Sequence, residues 1–274
     1  MPRLLVLQSI WGLDQCPGFD VWNDLETALQ AVIDAGFDGA GTNLVRKERT
    51  AVTARFMNER GLAWEAQVLA GSADELARYA DEAARLGAHH LNVQVRGPLD
   101  RVADAVRLME GMEVVRRAAG LPVFYETHRA RLSQDLPFFL RLLDALPDLP
   151  LTADLCHYVV AGEWDLPIDA AKHAAIDRVL RRAHAFHGRV ATAHQVQAPI
   201  GGHHQPWLDL FAGWWRRGFD HWRARAAAGD TLSFMVELGP PPYAVVDSQG
   251  RELTDRWQEA QRLKDLVRGL WQQA

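Results

Sequence analysis

The chain has 274 residues, 48% hydrophobic and 24% charged, with a formal net charge of -5. That balance belongs to a globular protein with a large core, and the length suits one α/β barrel, which typically runs to about 250 residues. No basic block marks a nucleic-acid surface, two cysteines without a CxxC pair (Cys16, Cys156) exclude a disulfide framework, and no stretch reaches the roughly 20 apolar residues of a membrane span or forms a signal peptide.

Residues 4–9 open the chain as an apolar strand. Residues 21–35 follow with Leu25, Leu29, Val32 and Ile33 at helical spacing. Gly36 then stands where a helix C-terminus favours left-handed backbone, and residues 37–42 form the next strand. The same punctuation recurs at Gly61 (strand 62–69), Gly87 (strand 89–95) and Gly120 (strand 122–126). Ser72, with Glu75 three residues on, makes a capping box for the helix after Gly71. Strands are further expected at 149–154, 188–194 and 231–237, and 254–271 closes as a helix. Eight strands alternating with helices predict a parallel sheet closed as a single (β/α)8 barrel domain over residues 1–274. An open doubly wound sheet is disfavoured, because no Gly-x-Gly-x-x-Gly follows the first strand. Residues 198–222 stand apart as a Gly/His/Pro loop and a Trp-rich helix. The aromatic stripe Trp207, Phe211, Trp214, Trp215 and Trp222 is wider than a core face requires, which suggests a lid or a homo-oligomer interface.

Catalytic side chains in such a barrel sit at the C-terminal strand ends. The fifth predicted strand ends in Glu126, the sixth in Asp154, the seventh in His194 and the eighth in Glu237. Converging carboxylates at apolar strand ends would repel one another and be costly to bury. One divalent cation held by Glu126, Asp154, His194 and Glu237 resolves both problems. Three carboxylates and an imidazole rank Mn first, then Mg, Co or Zn.

In this order, Glu126, the Asp154-x-x-His157 motif, His194 and Glu237 resemble the xylose isomerase-like barrel superfamily. It includes sugar phosphate isomerases and epimerases, inosose-processing enzymes and endonuclease IV. The resemblance implies that Glu126, Asp154, His194 and Glu237 bind the metal. It implies that His157 contacts substrate or a further metal, and that Glu126 and Glu237 are the catalytic acid and base. The implied function is a metal-dependent isomerase or epimerase of a small sugar, keto-sugar or polyol-derived ketone. Proton transfer would run through a metal-stabilised enediolate. The first alternative is a dehydratase of an inosose-like substrate on the same site. An endonuclease IV-like phosphodiesterase ranks lower, because Gln67 and Gln94 stand where that branch needs zinc-binding histidines. Many ketose epimerases of the family carry an Arg shortly after the metal-binding His, and none follows His194 as far as Ile200.

Gln67, Gln94 and Gln197 are further candidates to bond sugar hydroxyls from the barrel mouth. His128 with Arg129, Trp11 after the first strand, and His204 in the loop of residues 201–206 are candidate substrate contacts. His89 and His90 fall at the wrong end of their strand and read as structural. His184 and His187 read as a helix end, where imidazolium meets the dipole. The expected setting is a cytoplasmic enzyme of small carbohydrates, with no membrane or nucleic-acid partner.

Overall fold

Alternating strands and helices resolve, in a computed structural model that describes residues 1–98 and 100–274, into a closed ring of eight strands. These are β1 (Arg3–Ser9), β2 (Gly39–Asn43), β3 (Ala63–Ala70), β4 (His90–Val95), β5 (Val123–Glu126), β6 (Leu151–Ala153), β7 (Ala183–Gly188) and β8 (Thr231–Val236). All neighbours pair in parallel, and β8 closes on β1 from Arg3 opposite Thr231 to Gln8 opposite Val236. Between them run α1 (Leu25–Asp34), α2 (Lys47–Glu59), α3 (Ala73–Arg85), α4 (Val102–Ala118), α5 (Leu136–Ala145), α6 (Cys156–Ala161), α7 (Ala170–Leu180) and α8 (Gln205–Arg223), and α9 (Arg256–Gln273) ends the chain. Among the described residues, no helix is long and apolar enough to cross a membrane.

Local chemistry explains the boundaries. Asp24, Ser72, Asp135, Asp169 and Asp255 each accept a bond from a first-turn N–H, which stabilises a helix by about 1 kcal/mol. The capping box of α3 forms only by half. Ser72 caps Glu75 N at 3.2 Å, while the Glu75 carboxylate takes Gly71 N and Arg96 instead. Gly36, Gly61 and Gly87 end their helices in the left-handed region (φ 82°, 63° and 73°), as their placement predicts.

The apolar core lies between the strands and the helical ring. Inside the barrel the apolar part is small, a floor of Leu5, Leu7 and Met235. Other buried side chains at the strands and their ends are polar: Glu65, His90, Asn92, Glu126, Asp154, His187, Arg189 and Glu237.

Two expectations are corrected. The seventh strand is residues Ala183–Gly188, earlier than the predicted 188–194. Helix α7 ends at Leu180 with Arg181 as its cap rather than a glycine, so the helix-glycine-strand rule locks onto Gly188 by mistake. Gly188 is a strand residue, bare because a Cβ there would stand 2.1 Å from the Phe234 ring. The aromatic stripe of α8 packs largely within the chain, with Trp207 alone of its members half-buried. Phe211, Trp214, Trp215, Phe219 and Trp222 are buried, and Trp215 and Phe219 pack on Phe234 and Phe186 at 5.2 and 5.4 Å between centroids.

Candidate active site

Glu126 ends β5, Asp154 follows β6, His187 lies near the end of β7 and Glu237 follows β8, so four adjacent strands converge at one rim. One donor atom from each lies within 4.8 Å of the others, and all four residues are buried. Thr127 ties two of these strand ends together, its hydroxyl donating to Asp154 O and accepting from Asp154 N, both at 2.9 Å. Glu126 is held from β4, where Asn92 and Gln94 donate to its two oxygens, Gln94 at 3.2 Å.

His187 is oriented from behind. Its Nε2 lies 2.9 Å from Glu65 Oε1, so the N–H sits on Nε2. Nδ1 then faces Glu237 at 3.4 Å and Glu126 at 3.9 Å, with no hydrogen-bond partner. A carboxylate behind a histidine is the usual support of a metal-binding imidazole. The Glu65 support runs deeper: Oε2 holds His90 Nε2 at 2.8 Å, His90 Nδ1 meets His89 Nδ1 at 2.9 Å, and His89 Nε2 meets Thr231 Oγ1 at 2.9 Å. Burial pushes the Glu65 carboxyl up, but the charges of His187 and His90 outweigh it and hold it at about 2.

Arg189, 2% exposed, places Nη2 at 2.6 Å from Glu237 and 3.3 Å from Asp154. Its Nε and Nη1 are buried without partners. With His187 neutral and the acids ionised, three carboxylates and one guanidinium carry two negatives, the complement of a divalent cation. Without an ion, burial pushes the His187 imidazole down, but the neighbouring carboxylates outweigh it and pull the imidazole up, and it takes a proton in the ion's place. Without one the cluster strains its own protonation. Burial, with Glu237 and Asp154 adding to it, drives the Glu126 carboxyl well up. At Glu237 burial acts the same way, but His187 and Arg189 outweigh it and hold that carboxyl down. The oriented, unpaired His187 Nδ1 and this charge deficit both fit a divalent ion held by Glu126, Asp154, His187 and Glu237.

The expected imidazole was His194. It is exposed in the turn after β7, where its N–H bonds Thr192 Oγ1, and it stands outside the cluster. His187 takes the place because β7 ends earlier. The reading of His187 as a helix end is therefore wrong, and His184 likewise lies within β7, half-buried against Phe124. The absence of an arginine after the histidine is corrected too, since Arg189 follows His187 by two residues on the same inward face.

A cavity of about 380 Å³ opens above the cluster, lined by Trp11, Gln67, Gln94, His128, Arg189, Glu237 and Tyr243 among others. Trp11, Gln67, Gln94 and His128 therefore lie where expected. Gln67 lies 3.4 Å from Glu237. His157 is buried beside Asp154 at 3.4 Å, its ring 3.8 Å from that of His128, and neither of its nitrogens is hydrogen-bonded. Burial pushes both imidazoles down, His128 to about 3. Gln197 is not free for substrate, because both ends of its amide clamp the Gly239 backbone, at 2.7 and 3.0 Å. His204 lies in a 3-10 turn (Gly202–His204) outside this cavity. The sequence reading missed Glu65, Asn92, His187, Arg189 and Tyr243. The alternation of His187 and Arg189 across Gly188 was the available signal for two of them.

No protein-family model matches the chain, and no curated protein does. Solved structures match at low identity. A xylose isomerase-like TIM barrel protein from Mycobacterium smegmatis, in complex with magnesium, aligns over 97% of both chains with TM-score 0.60 and 13% identity. A sugar phosphate isomerase/epimerase from Parabacteroides distasonis aligns over 97% of this chain and 95% of its own, with TM-score 0.59 and 11% identity. A probable 3-DHS dehydratase involved in petrobactin synthesis in Bacillus anthracis aligns over 85% of this chain and 92% of its own, with TM-score 0.51 and 12% identity. The likeness is one of fold, a closed (β/α)8 barrel shared with these proteins over nearly the whole chain.

Proposed function

We propose that this chain is a divalent-metal-dependent isomerase or epimerase of a small sugar or keto-sugar, with Glu126 and Glu237 moving the proton. The observation that carries the reading is the buried set Glu126, Asp154, His187 and Glu237, with donors within 4.8 Å of one another at the catalytic rim. Mn or Mg suits this oxygen-rich set with one imidazole, and the Mycobacterium smegmatis barrel was solved with magnesium. The ion supplies Lewis acidity toward a substrate carbonyl.

The rest falls to the protein. The contacts of the two glutamates suggest how they divide the proton transfer. Glu237, held down by His187 and Arg189, is ionised and acts as base. Its Oε2 is taken up by Arg189 at 2.6 Å, which leaves Oε1, 3.4 Å from Gln67 Nε2, to accept the proton. Glu126, held by Asn92 and Gln94, is the partner that returns a proton to the substrate. Trp11 and Tyr243, edge to face at 5.0 Å, give the cavity an aromatic wall on which a sugar ring could stack.

A dehydratase on the same site would use the same base and acid, the proton going to a departing hydroxyl instead of to the product carbon, and its unsaturated product would absorb in the ultraviolet. Metal analysis by mass spectrometry tests the reading. About one Mn or Mg per chain is expected in the wild type and in His194→Ala, and none in His187→Ala. A wild-type protein that takes up no metal after loading with Mn, Mg, Co or Zn would refute it.

A further inference from the structure

Around the mouth of the cavity the charge balance reverses. Arg46, Arg49, Arg131 and Arg189 line it, against the two acids Asp14 and Glu237. Arg49 pairs with Asp14 at 3.0 Å and Arg189 with Glu237 at 2.6 Å. Arg46 and Arg131 have no carboxylate partner among the described residues: Arg131 bonds only Gln94 and Ala130 O, and Arg46 lies 5.3 Å over the Trp22 ring.

Arg131 is held in place, whereas Arg46 is exposed at the start of a helix. Arg131 donates Nε to Gln94 Oε1 at 3.0 Å and Nη1 to Ala130 O at 2.9 Å, which leaves Nη2 uncommitted. Gln94 in turn donates to Glu126 at 3.2 Å, so this guanidinium is fixed relative to a proposed catalytic carboxylate. Arg46 is the N-cap residue of α2, a helix start with no side-chain cap, where the dipole adds positive potential. Val45, Arg46 and Arg49 also line an outer groove of about 710 Å³, so this wall of the cavity borders a solvent-facing groove.

Two guanidiniums without a carboxylate partner lining one cavity bond an anionic oxygen more strongly than a neutral hydroxyl. Their planar donor forks match the oxygens of a carboxylate or phosphate. We propose that the substrate carries an anionic group, a phosphate or a carboxylate, remote from its reacting carbons, and that Arg46 and Arg131 bind that group at the cavity mouth. The proposal rests on the isomerase reading for the reacting end alone; the anion site itself needs no metal.

The test is calorimetric titration of the full chain at constant ionic strength with inorganic phosphate, D-gluconate and neutral D-fructose. At least one anion is expected to saturate more tightly than D-fructose. Arg131→Gln and Arg46→Gln should each weaken it by about tenfold or more, and Arg131→Lys should recover part of the loss. Phosphate alone binding assigns a sugar phosphate, and gluconate alone assigns a sugar acid. Circular dichroism of each variant guards against misfolding. Repeating the titration after EDTA treatment separates the two readings. Anion binding kept after EDTA belongs to the arginines, whereas binding lost with the metal, or unchanged in both Gln variants, or no tighter than D-fructose, overturns the proposal.

Discussion

Replacing Glu65 with glutamine puts an amide of the same shape between His187 and His90. Its cost can be worked in two ways. The Glu65 carboxyl sits at about 2 against an ordinary 4.5, a difference of about 2.5. At about 1.4 kcal/mol each, that corresponds to about 3 kcal/mol of stability at neutral pH. Counted by bonds, the carboxylate accepts from two imidazoles at 2.8 and 2.9 Å. A glutamine can accept from only one and turns an N–H toward the other, which costs about 1.5–3 kcal/mol. The two routes agree on roughly 3 kcal/mol, read as a shift in urea unfolding followed by tryptophan fluorescence. The sign with pH is set by the depressed carboxyl. Its stabilisation is complete above about 4.5 and lost as pH falls toward about 2, so the gap between wild type and variant should close over that window. His187 would also lose its orientation, and chelator competition should show metal affinity down by about 10–100-fold. A variant within about 0.5 kcal/mol of wild type, with unchanged metal affinity, would refute the role given to Glu65.

Other expectations follow from the same geometry. Glu237→Gln should abolish exchange of the substrate α-proton with deuterated solvent, while Glu126→Gln blocks net isomerisation but keeps some exchange; equal exchange in both variants would contradict the assigned roles. Gly188→Ala should cost about 1–3 kcal/mol, because the new Cβ meets the Phe234 ring at 2.1 Å, and an unchanged urea midpoint would show that the aromatic layer yields freely. Burial pushes the Glu259 carboxyl up, although it accepts a bond from Ile200 N at 2.9 Å. A carboxyl raised in the fold favours its protonated form, so this stability declines as pH rises above about 4.5. Glu259→Gln cannot ionise and should raise the melting temperature at pH 7; a lower one would mean that the charge itself holds the loop.

The barrel was legible because its signals are local. Glycine after an amphipathic helix marks the early strands, and an apolar run ending in one acid picks out Glu126, Asp154 and Glu237 without any tertiary knowledge. The seventh strand escaped for the same reason: α7 lacks that glycine, and the glycine six residues into the strand answers to packing against Phe234. That single displacement substituted His194 for His187 and hid Arg189. Glu65 and His90 were invisible in a different way. Their meaning lies in pairings across 25 and 122 positions of sequence, which no local pattern encodes. Arg46 and Arg131 sit in loops after β2 and β5, and only closure of the ring brings them to one mouth.

The line of side chains from His187 through Glu65 and His90 to His89 also has a spectroscopic consequence. Its inner members are shielded from water by the barrel wall, and His187, Glu65 and His90 are nearly or fully inaccessible. Ring N–H protons held in such bonds exchange slowly and resonate far downfield of the amide envelope. They supply a native set of proton NMR lines whose positions report, without any added label, what occupies the rim above them.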